Sequence, residues 1–306
     1  QTQNRRAVID VGSNSVKILV ADEHDGVISP ILQRGKQTRL GKGVFESSIL
    51  QPDRINETAH VISQFADQAR ELSATTLRIL ATSAAREASN RAEFAQAVAE
   101  AEGKLEIISG EEEANLILQG VRTHPEFANG PLAVIDVGGG STELLVADEN
   151  ILLTQASHLL GTVRWLERFP PNDPPTPGNR ETVQNSIAQF IESAIEPQLK
   201  DIPLPPTLVA SGGSPKFLTR LLKGTRDLSM EQIESTVVSL DEIRQLADQL
   251  WSLPLAERKK LPGISARRAD VLLMGAAIYE TMMEQFGFKS LRPSMRGLRY
   301  GAIIEK

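Results

Sequence analysis

The chain has 306 residues, 41% of them hydrophobic and 24% charged, with a formal net charge of −6. That composition excludes a disordered chain, leaves room for two cores, and argues against a broad nucleic-acid-binding face, so duplex nucleic acid is not an expected partner. Zero cysteines exclude disulfides, thiolate metal sites and cysteine nucleophiles, and the four histidines, His24, His60, His124 and His158, are too dispersed to mark a metal cluster, so any metal is expected to be oxygen-bound.

No apolar run reaches membrane-spanning length, and Gln1 to Arg6 lead straight into an apolar run without a signal-peptide core. The expectation is a cytoplasmic protein with no membrane partner. The first apolar run ends at Asp10, and Val11-Gly12-Ser13-Asn14-Ser15 lead into a second run through Val20. This reads as strand, tight loop and strand, which matches neither a dinucleotide fingerprint nor a P-loop, since both open a helix. The turn residues offer N–H groups and hydroxyls suited to phosphate oxygens, and Asp10 ends the strand where a carboxylate can hold Mg²⁺ or a water. Residues 26–37 add a further strand or two before Gly41-Lys42-Gly43. Arg34, Lys36, Arg39 and Lys42 form a basic stretch for which solvated charge and a local polyanion site are equal readings. From Pro52, the residues Ile55, Ala59, Ile62, Phe65, Ala66, Ala69 and Leu72 recur at helical spacing and predict a core-packing helix.

Residues 76–82 read as a buried strand, and Arg86 follows where strand becomes loop. A guanidinium there can grip phosphate bidentately or pair with a nearby carboxylate. A helix is expected from Asn90, with Glu93 at capping-box distance, then a short strand over 105–108. Ser109-Gly110-Glu111-Glu112-Glu113-Ala114 open a helix through Val121. Ser109 and Glu112 fit a capping box, and acids suit a first helical turn. Equally, one of the glutamates can deprotonate a water attacking phosphorus. Local pattern leaves both readings open.

The turn-rich connector from His124 to Pro131 sets an expected boundary between an N-terminal domain, residues 1–126, and a second domain, residues 127–296, with 297–306 as a candidate return to the first. The second domain opens by repeating the first. Ala133-Val134-Ile135-Asp136-Val137-Gly138-Gly139-Gly140-Ser141-Thr142-Glu143 aligns without a gap to Ala7 through Lys17, and the match continues to Glu149 against Glu23. Two like domains with turns facing across a cleft are expected. A strand over 152–156, a helix over 162–169, a proline-rich loop over 170–178 and an amphipathic helix over 180–199 follow. After a strand at 207–210, Gly212 and Gly213 admit either a ligand or a tight turn. Helices are expected from 239 to 253 and from 269 to 286, the latter apolar almost all round and stopped by Gly287. Arg267, Arg268, Arg292, Arg296 and Arg299 enrich the C-terminal end in positive charge.

Taken together, Asp10-Val11-Gly12-Ser13-Asn14-Ser15, Ala81-Thr82-Ser83-Ala84 with Arg86, Ser109 to Ala114, Asp136 to Leu144, Ala210-Ser211-Gly212-Gly213, Arg268-Ala269-Asp270 and Arg296-Gly297-Leu298-Arg299 resemble the exopolyphosphatase and guanosine pentaphosphate phosphatase (Ppx/GppA) family. That family lies in the actin, sugar kinase and Hsp70-like superfamily. The resemblance implies an α/β fold of two duplicated ribonuclease-H-like domains with an interdomain cleft. It implies hydrolysis of a terminal phosphoanhydride on polyphosphate or guanosine pentaphosphate (pppGpp), with Mg²⁺ or another divalent cation. Residue by residue, it implies Glu112 as the base with Glu113 as nearest rival, and Arg86 as the catalytic cation. Asp136 and Glu143, with Asp10, would bind the metal; Ser13, Asn14, Ser15, Gly139, Gly140 and Ser141 would bind phosphate.

Two positions depart from the family pattern. Tyr300 stands where glutamate is usual, and Met295 replaces a commonly acidic or polar residue. The chain also ends where longer members continue into a further helical domain, which favours a short polyphosphate or a nucleotide. Alternatives are an ATP-dependent kinase or ATPase of the same superfamily and a polyphosphate- or nucleotide-binding regulator without turnover. The apolar C-terminal helices suit a homodimer or an internal core equally.

Overall fold

The computed structural model describes residues 4–101, 103–149 and 151–305; Gln1 to Gln3, where the N-terminal stretch begins, and Lys306, at the end of the 297–306 segment, lie outside the described residues. The chain divides into two compact units, one of residues 1–128 with 296–306 and one of residues 129–295.

In the first unit the apolar runs form β1 (Arg5–Val11), β2 (Ser15–His24), β3 (Val27–Gln37), β4 (Thr76–Ala81) and β5 (Leu105–Ile107), in the sheet order β3-β2-β1-β4-β5. The three strands joined by tight turns are antiparallel. β4 and β5 run parallel to β1, and parallel neighbours need crossovers, which the helices Pro52–Glu71 and Arg91–Ala101 supply. Ile9, Val11, Val16, Ile18 and Val20 pack with Ile55, Ile62, Phe65 and Ala66 of the first of these helices. Each such Val, Ile or Phe side chain contributes about 1.5–3 kcal/mol on burial, so this face holds the sheet in place.

The C-terminal helix Leu298–Ile304 packs against β1 and β2 and against the helix Gly110–Arg122. Glycines let the two helix backbones touch. A Cβ on Gly120 would lie 2.0 Å from Gly297 O, and one on Gly301 would lie 1.9 Å from Leu116 O. Tyr300, the departure from the family pattern, is fully buried here, and its hydroxyl accepts from Gln33 Nε2 at 2.8 Å. The C-terminal arginines cap main-chain carbonyls: Arg292 Nε donates to Glu234 O, Arg296 Nη1 to Thr123 O and Arg299 Nη1 to Ile18 O, at 2.8–2.9 Å.

The second unit holds β6 (Leu132–Val137), β7 (Thr142–Asp148), β8 (Ile151–His158), β9 (Thr207–Ser211), β10 (Val238–Ser239) and β11 (Ser290–Pro293), in the order β10-β11-β9-β6-β7-β8. β8-β7-β6-β9-β11 repeat the order and directions of β3-β2-β1-β4-β5, down to a register shift at Val20/Ala21 in one and Val146/Ala147 in the other. β10 is an antiparallel addition. The sequence repeat is therefore a repeat of fold, a mixed ribonuclease-H-like α/β sheet made twice. The helix Leu272–Phe286 is buried nearly all round and ends at Gly287 in the left-handed conformation, φ 72°.

Several local expectations shift. The long helix expected over 180–199 begins at Pro177, capped by Thr176, and widens to a π turn at Ile191–Ile195 before Glu196–Leu199. Pro197 explains this, because it lacks an N–H and its ring crowds the carbonyl four residues back. Residues Ser83–Glu87 form a single helical turn where a loop was expected, too short to show a period. At the expected helix start Asn90 ties back to residue 50: its Oδ1 accepts from Leu50 N at 2.8 Å and its Nδ2 donates to Leu50 O at 3.0 Å. Among the described residues no helix is long and apolar enough to cross a membrane.

Candidate functional site

The two repeat turns are closed in the same way. Gly12 N–H donates to Ser15 O at 3.1 Å, and Gly138 N–H donates to Ser141 O at 2.9 Å. A following segment then takes the turn's carbonyls. In the first unit Gly41 N–H donates to Ser13 O at 2.8 Å, while the N–H groups of Thr38 and Arg39 donate to Asn14 O. In the second, Thr162 N–H donates to Gly138 O, Val163 and Arg164 N–H to Gly139 O, and Arg164 Nε to Gly140 O, all at 2.7–3.0 Å. The C=O and N–H of a trans peptide point in opposite directions. Fixing these carbonyls therefore turns the N–H groups of Asn14 and Ser15, and of Gly139, Gly140 and Ser141, away from the supporting segment. Clustered N–H groups of this kind make a seat for an anion.

Glycine is required where the support comes close. A Cβ on Gly41 would meet Ser13 Cβ at 2.7 Å, and one on Gly161 would meet Gly139 O at 2.4 Å. Ser13, Asn14, Ser15 and Ser141 are all buried. Asn14 Oδ1 accepts from Gln37 Nε2 at 2.8 Å, which leaves Nδ2 a buried donor without a hydrogen-bond partner among the described residues.

The carboxylates beside the turns differ between the copies. Asp136 on β6 stands directly opposite Glu143 on β7, and Glu143 is 1% exposed. The same register in the first unit sets Asp10 opposite Lys17, with Nζ 3.8 Å from Asp10 Oδ2. One copy thus pairs two acids and the other an acid with a cation. The acid pair of the second copy thus offers hard oxygen donors from two strands, while the first copy offers one acid beside a lysine. Among the described residues no group of three or more His, Cys, Asp or Glu suits a metal.

Gly212 and Gly213 admit side chains from this unit. A Cβ on Gly212, whose φ is 93°, would lie 2.6 Å from Asp136 Oδ1, and one on Gly213 would lie 2.6 Å from Arg268 Nη1. The Arg268 guanidinium lies 5.3 Å from the Phe217 ring centroid, and desolvation lowers its pKa to about 10, which keeps it charged at neutral pH. Tyr279 is fully buried, and its phenol is held protonated first by desolvation and then by the Asp136 charge.

The glutamates separate by geometry. Ser109 Oγ accepts from Glu112 N at 3.1 Å while Glu112 Oε2 accepts from Ser109 N at 2.7 Å, a complete capping box. Glu112 is exposed, and the Ser109 N–H holds its carboxyl below the usual range. Glu113 is buried and ion-paired at 3.1 Å to Arg86 Nη1, which also donates to Ile108 O at 2.8 Å. Arg86 thus has a carboxylate partner, while only one of its nitrogens makes these contacts.

Residues 19–306 match the model of the Ppx/GppA phosphatase family. The chain belongs to the Ppx/GppA phosphatase family. Exopolyphosphatase 2 of Mycobacterium tuberculosis strain H37Rv is 28% identical over 293 residues, covering 92% of this chain and 90% of that protein. The guanosine-5'-triphosphate,3'-diphosphate pyrophosphatase of Vibrio cholerae O395 is 27% identical over 300 residues, or 98% of this chain; the match spans 58% of that relative's length. The Aquifex aeolicus Ppx/GppA enzyme has a structure similar to this chain with a TM-score of 0.81 at 31% identity, covering 98% of this chain and 99% of that one. An exopolyphosphatase-like protein gives a TM-score of 0.89 at 26% identity, covering 99% and 97%. These relatives carry the names of phosphoanhydride hydrolases, and by family membership this chain is an enzyme of that class.

For this Ppx/GppA protein, each unit assembles a distinct subset of the residues singled out in the sequence. The first gathers Ser13, Asn14, Ser15 and Asp10 at one turn, and ties Arg86 to the helix that carries Glu112. The second gathers Gly139, Gly140, Ser141, Asp136 and Glu143. The sequence reading gave no role to Lys17, Gly161 or Ser157, and took Gly41 and Ser211 only as parts of glycine turns. Aligning the repeat copies places Lys17 against Glu143 and would have flagged the first; the others act through residues distant in sequence.

Proposed function

We propose that this protein removes the terminal phosphate of linear polyphosphate, of guanosine pentaphosphate, or of both, with a divalent cation such as Mg²⁺, and that Glu112 orients the attacking water. The observation that carries this reading is the pair of turns whose carbonyls are tied back and whose N–H groups face outward. A substrate ending in consecutive phosphates offers the run of anionic oxygens that such donors suit.

The residues fit the cation. Asp136 and Glu143 would hold it, and Mg²⁺ is commonly bound through one or two carboxylates together with substrate phosphates. Gly212 keeps any side chain clear of Asp136 Oδ1. When bound, the cation would neutralise charge on the phosphoryl oxygens. Asp10, paired with Lys17, leaves the first turn to grip phosphate.

Glu112 suits the water-orienting role better than Glu113, which is buried against Arg86. Its lowered pKa keeps it ionised at neutral pH, so it aligns the water for in-line attack and receives the proton as the new P–O bond forms. The bridging P–O bond breaks and the shortened chain or nucleotide leaves with the electron pair. Arg86, anchored through Nη1, turns the rest of its guanidinium to the transferring phosphoryl group.

Phosphate release from short polyphosphate, long polyphosphate, guanosine pentaphosphate and ATP, each with and without Mg²⁺, tests the proposal. Cation-dependent release from polyphosphate or guanosine pentaphosphate is expected. No release from any of the four overturns it.

A further inference from the structure

Four side chains form one row across the second sheet. The registers Ser211↔Asp136, Asp136↔Glu143 and Glu143↔Ser157 line up residues of β9, β6, β7 and β8 in that order. Partners at one register position share a face of the sheet. The two outer members bond to the two inner ones: Ser211 Oγ, wholly buried, donates to Asp136 Oδ2, and Ser157 Oγ donates to Glu143 Oε1 at 2.7 Å. The first unit provides an internal comparison. Its equivalent row reads Leu80, Asp10, Lys17 and Gly35, with a cation in place of the second acid and no hydroxyl at either flank.

We infer that Ser211 and Ser157 are positioning residues for a divalent cation, holding the Asp136 and Glu143 carboxylates in the orientation that binds it. This rests on the assignment of the cation to those two acids under the proposed function. A hydroxyl donated to one carboxylate oxygen fixes the rotation of the group about its last torsion without removing its charge. Groups that orient a metal ligand in this way typically change metal affinity about 10–100-fold when removed. The serines appear only in the row that carries two acids, which ties them to the acid pair rather than to the sheet, since the other sheet forms without them.

The test is Mn²⁺ binding to the full chain without substrate, followed by the electron paramagnetic resonance signal of free Mn²⁺. Ser211→Ala and Ser157→Ala are each expected to raise the Kd about 10–100-fold with the circular dichroism spectrum unchanged. Ser157→Thr, which keeps the hydroxyl, should bind as the parent does. If Ser211→Ala fails to fold, Ser157→Ala, half-buried on the edge strand, carries the test. Parental affinity in both alanine variants, with binding lost in Asp136→Asn, would overturn the inference while leaving the cation site in place. Parental affinity in Asp136→Asn and Glu143→Gln as well would overturn the cation assignment itself.

Discussion

Glu112 occupies a position where one side chain closes a helix cap and is assigned a reaction, and replacing it by glutamine separates the two roles. A capping box accepts either residue at this position, so in Glu112→Gln the amide oxygen of the new side chain would still receive the Ser109 N–H. The stability lost is then the charge–dipole term alone, about 0.3–1 kcal/mol and at the low end for an exposed group. At about 2–4 °C per kcal/mol for a large domain, the melting temperature should fall by a few degrees at most. Turnover should fall about 10²–10⁴-fold, equivalent to roughly 3–5 kcal/mol of barrier at 1.36 kcal/mol per factor of ten. Ser109→Ala should do the reverse, costing about 1 kcal/mol of stability while keeping most of the turnover, because the backbone N–H that holds Glu112 remains. The assays are phosphate release and thermal unfolding of each variant. Near-parental turnover in Glu112→Gln would refute the assignment and leave Glu112 as a cap.

The pH profile should reflect the depressed Glu112 pKa: as the active form is ionised, kcat/KM should hold on acidification until below the ordinary glutamate value of about 4.3. An acidic limb above it would point to another group. His158 is buried and desolvation lowers its pKa, so the unfolded chain takes up a proton there first. Stability should therefore decline as pH falls below about 6.5, by at most about 1.4 kcal/mol per pH unit; denaturant melts of His158→Gln should show a shallower decline. Gly301→Ala would force a Cβ to within 1.9 Å of Leu116 O. It should cost about 3 kcal/mol, the upper end of ordinary overpacking, and lower the melting temperature by roughly 6–12 °C. Asp10→Asn should leave Mn²⁺ affinity at the parental level in calorimetric titration, since Lys17 already balances that acid.

The duplicated fold was legible because strand, turn and acid recur in one order, and the structure gives both copies the same strand order. The turns were legible by composition, but not how they work. Their N–H groups turn outward because residues 38–41 and 162–164 take the carbonyls, largely through main-chain N–H groups whose direction no residue type announces. The role of Glu112 stayed open between cap and base, because the spacing that makes a cap also makes the motif. The environments of Glu112 and Glu113 differ through Arg86, 27 residues away from Glu113 and brought beside it by the parallel strands. Ser211 lies 75 residues from Asp136 and was read only as part of a glycine turn; its bond depends on the register of β9 against β6. The C-terminal arginines read only as an excess of positive charge, because sequence does not show the carbonyls that Arg292, Arg296 and Arg299 meet. β11, with Leu291 and Pro293 as its buried residues, was too short to show a period.

Product analysis of a defined short polyphosphate, incubated with the protein and Mg²⁺ in ¹⁸O-labelled water and followed by ³¹P nuclear magnetic resonance, tests hydrolysis of the terminal phosphoanhydride most directly. Water attack on the end phosphorus gives inorganic phosphate carrying one ¹⁸O and a chain one unit shorter, and that is the expected result. Phosphate without label, label retained in the shortened chain, or an unchanged chain would contradict it.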